Sequence, residues 1–514
     1  MTGIVEISRR RNPFPATGVI RDGDGVAHYQ QLPATLLDVL AEQAQRRPDT
    51  EAVVELGAGA LTYRQLWQRA ARVAGGLRAD GLGRGDRVGL RYPAGLNWVL
   101  AFWGTLLAGG IPVAVNTRSA APEVDFVLTD AGVRVDLAPG TALPDGQPYV
   151  VDGVEAGDIA ALFYTSGTTG RPKGVPTTHE AFLTNAENMV RSMGQSRQLG
   201  EELRTLISVP LFHVTGCNSQ LLVAAYAGGA AVIMPALSLP ELIAALPAQR
   251  ISSMVTVPAV YSLLLRHPDF AGVDVSGVRW VGYGGAPTAP ALVRSLRDAF
   301  GAATVFNGYG MTETASLMTV LPDSDAVAHA DSVGYAVPSG DLGVAPLDSN
   351  PGDPTTGELV VRGANVMRGY WNRPDATAAT IVDGWLHTGD VVRVDDAGRV
   401  HIIDRLKDII IRGGENVSSV EVEAALLSAP GVADACVLGV PDDVMGEKVG
   451  AVLLGAGQQD LDVAAVLDHC RGQLADYKVP QYITIVADEL PRTASGKLLK
   501  GRLRERVQWG DPLR

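Results

Sequence analysis

The stretch that most limits what this chain can become runs Leu162-Phe163-Tyr164-Thr165-Ser166-Gly167-Thr168-Thr169-Gly170-Arg171-Pro172-Lys173-Gly174-Val175. Asp158 to Tyr164 alternates loosely and ends in aromatics, as the end of a strand does. Between Thr165 and Gly174 stand three glycines, four hydroxyls and Lys173. Glycine lets the backbone come close to a ligand and aim N–H groups at it. The hydroxyls add donors and acceptors, and the lysine adds a positive charge. On its own chemistry the segment is either a phosphate cradle or a surface turn. It is not a Walker A loop: Arg171-Pro172 separate Gly170 from Lys173, and Gly174 stands where that pattern has its hydroxyl.

The flanking sequence supplies an α/β frame. From Thr35, a helix cap, Leu36, Leu37, Leu40, Ala41 and Ala44 recur at helical spacing. Ala52 to Val54 and Leu61 to Tyr63 read as short strands, with a helix from Tyr63 to about Asp80 ending at Gly81. Strands are expected at Arg87–Leu90, Thr205–Pro210, Ala231–Pro235, Ile251–Val257 and Val278–Tyr283, and helices from Glu180 and Leu239. This alternation predicts two α/β layers, each with its own mostly parallel sheet. From about residue 330 short strands between turns predict a small β-rich unit. Beyond Asp404 the chain reads as compact α+β, with Ser418 to Glu421 as a capping box and a strand from Ala433 to Val440. The expected division is 1–403 as the large domain, 404–407 as a hinge and 408–514 as a mobile C-terminal domain. Residues 1–33 are expected to form a loosely packed arm.

The length of 514 residues suggests about three domain-sized units. A net charge of −13 argues against a general nucleic-acid binder. Cys217, Cys436 and Cys470 lie far apart and form neither a metal pair nor a disulfide framework, which suits a reducing, cytoplasmic setting. Trp98 to Val115 is apolar but broken by Gly109-Gly110 and Pro112. It reads as a buried helix followed by a buried strand, not a span of about 20 apolar residues.

Further stretches bear on chemistry. In Asn307-Gly308-Tyr309-Gly310-Met311-Thr312-Glu313, a tyrosine between glycines can lie on a flat base, and Glu313 can hold a hard cation. Trp385-Leu386-His387-Thr388-Gly389-Asp390 ends in a carboxylate that can accept from two sugar hydroxyls or cap a strand. Asp404-Arg405-Leu406-Lys407-Asp408 is a charged cluster, Gly413-Gly414-Glu415-Asn416 a glycine turn, and Pro491 to Lys497 a turn ending in lysine.

Together, in this order, these stretches and the opening loop resemble the adenylate-forming enzymes: acyl-CoA synthetases, firefly-type luciferases and non-ribosomal adenylation domains. The resemblance implies that Thr165, Ser166, Gly167, Thr168, Thr169, Gly170 and Lys173 bind ATP phosphates. It implies Tyr309 beside adenine, within Asn307 to Thr312, and Gly285, Ala286 and Pro287 between adenine and acyl pocket. Asp390 would take the ribose, with Arg405 and Ile402 nearby, and Glu313 and Thr165 would hold Mg²⁺. Lys497 would enter the site for adenylation, Lys407 would be the hinge, and Gly413, Gly414 and Glu415 would line the CoA side. Phe212-His213 resembles the aromatic–histidine pair beside the acyl carboxylate.

The acyl pocket implied by the resemblance comprises His213, Val214, Gly216, Cys217, Gly282, Tyr283, Gly308 and Met311. These are mostly small or apolar, which points to an uncharged hydrophobic acid. A medium- or long-chain fatty acid is favoured, with an aryl acid of the cinnamate or benzoate type second; Tyr283, if it projects inward, would shorten the chain. The expected activity is acyl-CoA synthesis through acyl-adenylate, with ATP, Mg²⁺ and coenzyme A. A carrier-loading ligase and a non-catalytic scaffold are the rivals. A homodimer is allowed, and no stable membrane insertion is expected. Asp341 to Pro346 departs from the family's charged, regular strand, so the edge of the β unit is expected to be irregular there.

Overall fold

The computed structural model describes residues 3–165, 171–347, 353–412, 415–442, 444–456, 461–492 and 498–513, with 415 and 416 by backbone only. Among them, two large sheets face each other across the main core. The first has nine strands; its middle, from Trp280–Gly284 and Thr304–Tyr309 to Ala230–Ile233 and Glu51–Glu55, is parallel. The second has five strands and is parallel except at one edge, where Lys173–Thr178 folds back antiparallel on Ile159–Thr165. The glycine–hydroxyl segment thus joins two strands of a hairpin. A Walker loop would instead join a strand to a helix.

Helices Leu36–Arg46, Tyr63–Ala79, Leu96–Leu107 and His179–Ser192 fill the space between the sheets. Thr35 caps the first, with Asp38 completing the reciprocal box. Residues 98–107 are all buried, so the apolar run is a core helix followed by the strand Ile111–Ala114, as expected. Gly104 is needed there because a Cβ would stand 2.4 Å from Val73 on the neighbouring helix. Among the described residues no helix is long and apolar enough to cross a membrane. All three cysteines are free and buried.

The β-rich unit is a six-stranded sheet built on Asp341–Ala345, Thr356–Arg362 and Trp385–Val394. Here two expectations are corrected together. The described part of the expected loose arm, residues 3–33, is packed down: Val5–Glu6 pairs antiparallel with Asp341–Ala345. The Arg9 guanidinium donates to the carbonyls of Val337 and Gly340, Phe14 is buried, and the Tyr29 hydroxyl donates to Asn188. The arm covers an edge that would otherwise expose unpaired N–H and C=O groups. Asp341–Ala345 is therefore an interior, regular strand. The buried Asp341 carboxylate takes two hydrogen bonds from Arg21, at 2.6 and 2.7 Å, and others from Arg362.

Strand pairing passes to the C-terminal unit within a few residues. Val400–Arg405 still pairs in the closing sheet, while Ile410–Arg412 belongs to a five-stranded sheet with Val432–Asp442 and Gly446–Gly455. Ser418 caps the helix Ser419–Leu427, accepting from the Glu421 N–H at 3.2 Å. The reciprocal half of the capping box is not made, because Lys478 holds the Glu421 carboxylate at 2.7 and 2.8 Å.

Candidate active site

Strands of a parallel sheet aim their carboxyl ends at one side, and ligands bind there. Trp280–Gly284 and Thr304–Tyr309 are neighbours in register, Gly284 opposite Gly308. A Cβ on Gly284 would stand 2.2 Å from the Gly308 carbonyl oxygen, and one on Gly310 would collide with the Ser316 carbonyl. Gly285, Ala286 and Pro287 continue past the strand end into the open. Asn307 is buried and donates to the Ser332 carbonyl.

Two polar sets gather at these ends. In the first, the Tyr309 hydroxyl donates to Asp390 Oδ2 at 2.5 Å, and Arg405 Nε stands 2.7 Å from Asp390 Oδ1. Asp390 and Arg405 are paired residues of adjacent strands, which fixes their approach. Burial first, then the Asp390 charge, pushes the Tyr309 phenol well above its ordinary range, so it stays a donor. Ile402 lies on the Arg405 strand and is exposed.

In the second set, Lys173 opens its strand directly opposite Thr165. Its ammonium stands 4.3 Å from the ring centroid of Tyr370, and the Tyr370 hydroxyl donates to Glu313 Oε1 at 2.8 Å. Glu313 is 6% exposed, on the short turn Thr312–Thr314. Among the described residues no group of three His, Cys, Asp or Glu side chains gathers to hold a metal. One carboxylate with a hydroxyl nearby suits magnesium, which keeps most of its shell as water and substrate phosphate.

Beside the strand ends, the rings of Phe212 and His213 lie tilted against each other with centroids 4.7 Å apart. Burial first, then the Arg118 charge, lowers the His213 pKa to about 4, so the imidazole is neutral at working pH. Val214 packs against the main core and Cys217 is buried in it, on the face that also carries Gly282, Phe306 and Gly308. Gly216 admits no side chain, since a Cβ would stand 2.4 Å from the Pro210 carbonyl oxygen. Two members of the expected acyl set do not join this face. Tyr283 lies in the core behind the sheet with Val281 and Leu296, because adjacent strand residues point to opposite faces; it cannot shorten a pocket on the His213 side. Met311 packs with Tyr309 against the core of the closing sheet.

Ser166, Gly167, Thr168, Thr169, Gly170, Gly413, Gly414 and Lys497 lie outside the described residues, as does the Glu415 side chain. Lys407 is exposed, and partial desolvation lowers its pKa. Sequence reasoning missed Tyr370. The signal was the aromatic pair in Gly369-Tyr370-Trp371-Asn372-Arg373-Pro374, a segment without strand or helix periodicity.

The chain matches the family model for AMP-binding enzyme over residues 40–147 and 136–371, and that for the AMP-binding enzyme C-terminal domain over 421–497. It is 39% identical to a feruloyl-CoA synthase of Amycolatopsis sp., covering 90% of this chain and 97% of that one. It is 33% identical to a long-chain-fatty-acid–CoA ligase of Mycobacterium tuberculosis, covering 91% of this chain and 97% of that one. Among solved structures, o-succinylbenzoate CoA synthetase from Bacillus subtilis, in complex with its acyl-adenylate intermediate, superposes with a TM-score of 0.83 at 28% identity, covering 94% of this chain and 100% of that one.

Proposed function

The chain belongs to the AMP-binding enzyme family and is an ATP-dependent acyl-CoA synthetase, and from that premise we propose that its substrate is a compact aryl acid of the cinnamate or benzoate type. The observation that carries this reading is the Phe306 ring against Gly282. Gly282 pairs with Phe306, and Gly284 with Gly308, so both pairs present the same face. At the outer pair both residues lack side chains. At the inner pair a Cβ on Gly282 would stand 2.6 Å from the Phe306 ring, so that level is filled. A floor of two residues without side chains above a filled level suits a flat ring. The 39% identity to a feruloyl-CoA synthase supports the same acid class. A medium- or long-chain fatty acid is the second reading, supported by the uncharged lining and the 33% identity to a fatty-acid ligase.

The reaction divides in two. The substrate carboxylate attacks the α-phosphorus of ATP, and pyrophosphate leaves with the electrons of the broken P–O bond. The thiol of coenzyme A then attacks the acyl carbonyl, AMP leaves, and the thiol proton is released. Asp390, Arg405 and Tyr309 hold the nucleoside; Lys173 binds the phosphates, the role also proposed for the hydroxyls of Ser166, Thr168 and Thr169. Glu313 with Thr165 would hold magnesium, which when bound would supply neutralising charge on the phosphate oxygens. Neutral His213 orients the acid without adding charge. Lys497 steadies the charge that builds at the α-phosphate. The C-terminal domain turns about Lys407 to exchange Lys497 for the Gly413–Glu415 loop.

The test is pyrophosphate release from Mg-ATP against a panel of aryl and fatty acids, with and without coenzyme A. Turnover with cinnamates or benzoates that requires coenzyme A and yields the thioester supports the reading. Turnover confined to fatty acids transfers it to the second reading. Release that stalls at one adenylate per enzyme with coenzyme A present points to a carrier protein as acceptor.

A further inference from the structure

Lys173 and Glu313 carry opposite charges beside one ring, yet they form no direct ion pair among the described contacts. Tyr370 stands between them. The Lys173 ammonium lies over its face, where the ring quadrupole is negative, at 4.3 Å from the centroid. The hydroxyl leaves along the ring plane and donates to Glu313 Oε1 at 2.8 Å. One side chain thus fixes two charges in two perpendicular directions.

The segment that carries Tyr370 is tied to both sides. The Met367 N–H donates to the Glu313 carbonyl at 2.8 Å, and the Trp371 N–H donates to the Gly174 carbonyl, one residue past Lys173, also at 2.8 Å. The Tyr370 N–H takes the Thr377 hydroxyl as acceptor at 2.9 Å. Arg373 pairs with Asp130, whose carboxylate also accepts from the Tyr164 hydroxyl on the strand leading to Thr165. A displaced Tyr370 would have to break contacts to the hairpin and to the Glu313 turn together.

We propose that Tyr370 is a positioning residue that holds the Lys173 ammonium and the Glu313 carboxylate apart and aimed, and so sets how strongly the site takes up magnesium-bound ATP. The inference rests on the reading that Lys173 and Glu313 face the nucleotide phosphates. A direct Lys173–Glu313 pair would spend both charges on each other. With Tyr370 in place, one cation and one anion remain available for a ligand that carries both phosphate and metal. Among the described residues Tyr370 is the donor that fixes the Glu313 carboxylate, and such outer contacts tune metal affinity strongly.

The test is equilibrium binding of ATP by calorimetry, without acid or coenzyme A, across a magnesium series and in chelator, using the full chain. Tyr370→Phe keeps the ring under Lys173 and removes the donor to Glu313. Its half-saturating magnesium concentration is expected to rise roughly tenfold, with metal-free ATP affinity unchanged and a modestly lower melting temperature, because the buried Glu313 carboxylate loses its donor. Tyr370→Leu removes both contacts and is expected to weaken metal-free ATP binding as well. A Tyr370→Phe protein with wild-type magnesium dependence overturns the inference, as does equal weakening with and without metal. Wild-type protein that binds no ATP under any condition overturns the functional reading itself, which separates the two failures.

Discussion

The Asp404 carboxylate, at the end of a strand in the closing sheet, accepts from the Ser419 hydroxyl at 2.7 Å and from its backbone N–H, on the first turn of a C-terminal helix. The adjacent residue, Arg405, reaches Asp390 at 2.7 Å. One short segment therefore touches the proposed nucleoside site with one residue and the C-terminal domain with the next. Any turn of that domain about Lys407 must break the Asp404–Ser419 contact.

Asp404→Ala leaves the Ser419 donors without their acceptor in a buried setting. The expected cost is about 1–3 kcal/mol, the usual penalty for an orphaned buried group. It should fall on the C-terminal domain, read as faster limited proteolysis between residues 404 and 410 and a lower urea midpoint. Proteolysis at the wild-type rate would show that the contact does not hold the domain.

Tyr309→Phe keeps the ring and loses one hydrogen bond to Asp390. It is expected to raise the KM for ATP by up to about tenfold, corresponding to about 1.4 kcal/mol. Asp390→Ala, which also strands Arg405, should cost more. Equal effects from the two substitutions would contradict the placement of Asp390 at the centre of the set.

The parts of the site that depend on local chemistry were legible in the sequence. The strand before Thr165, the Thr35 cap and the buried helix ending before Gly109-Gly110 follow from spacing and composition, and the structure has them. What escaped depends on partners distant in sequence. Nothing in Val5-Glu6 says that it will cover Asp341–Ala345, and nothing in Ser418 to Glu421 says that Lys478 will claim the carboxylate. Tyr283 reads as a pocket residue until its strand neighbours fix which face it occupies. Tyr370 gains its meaning only when the fold brings Lys173 and Glu313 to its two sides.

His179 is buried and accepts the Leu36 N–H on Nδ1 at 3.2 Å. Burial lowers its pKa from 6.5 to about 4. The unfolded chain therefore binds a proton that the folded chain refuses. Stability is fully present above about pH 6.5 and falls as pH drops toward 4, by roughly 3 kcal/mol from this residue. His179→Asn, which offers an oxygen acceptor that does not titrate, should flatten that slope in urea unfolding between pH 7.5 and 4.5. An unchanged slope would place the acid sensitivity elsewhere.

Phe306→Val opens the layer beneath Gly284. Selectivity, taken as the ratio of kcat/KM for a long-chain acid to that for a compact aryl acid, should rise about tenfold, in line with pocket discrimination of 1–3 kcal/mol. An unchanged ratio would mean that the pocket closes at some other residue.

The central claim is that two chemical steps use two different sets of groups, and the Lys497→Ala protein tests it most directly. Its two partial reactions are measured separately: pyrophosphate release from acid and Mg-ATP, and thioester formation from supplied acyl-adenylate and coenzyme A. The account predicts loss of the first by at least about a hundredfold, the scale for removing a charge-stabilising donor, with the second near the wild-type rate. Equal loss of both steps would contradict it.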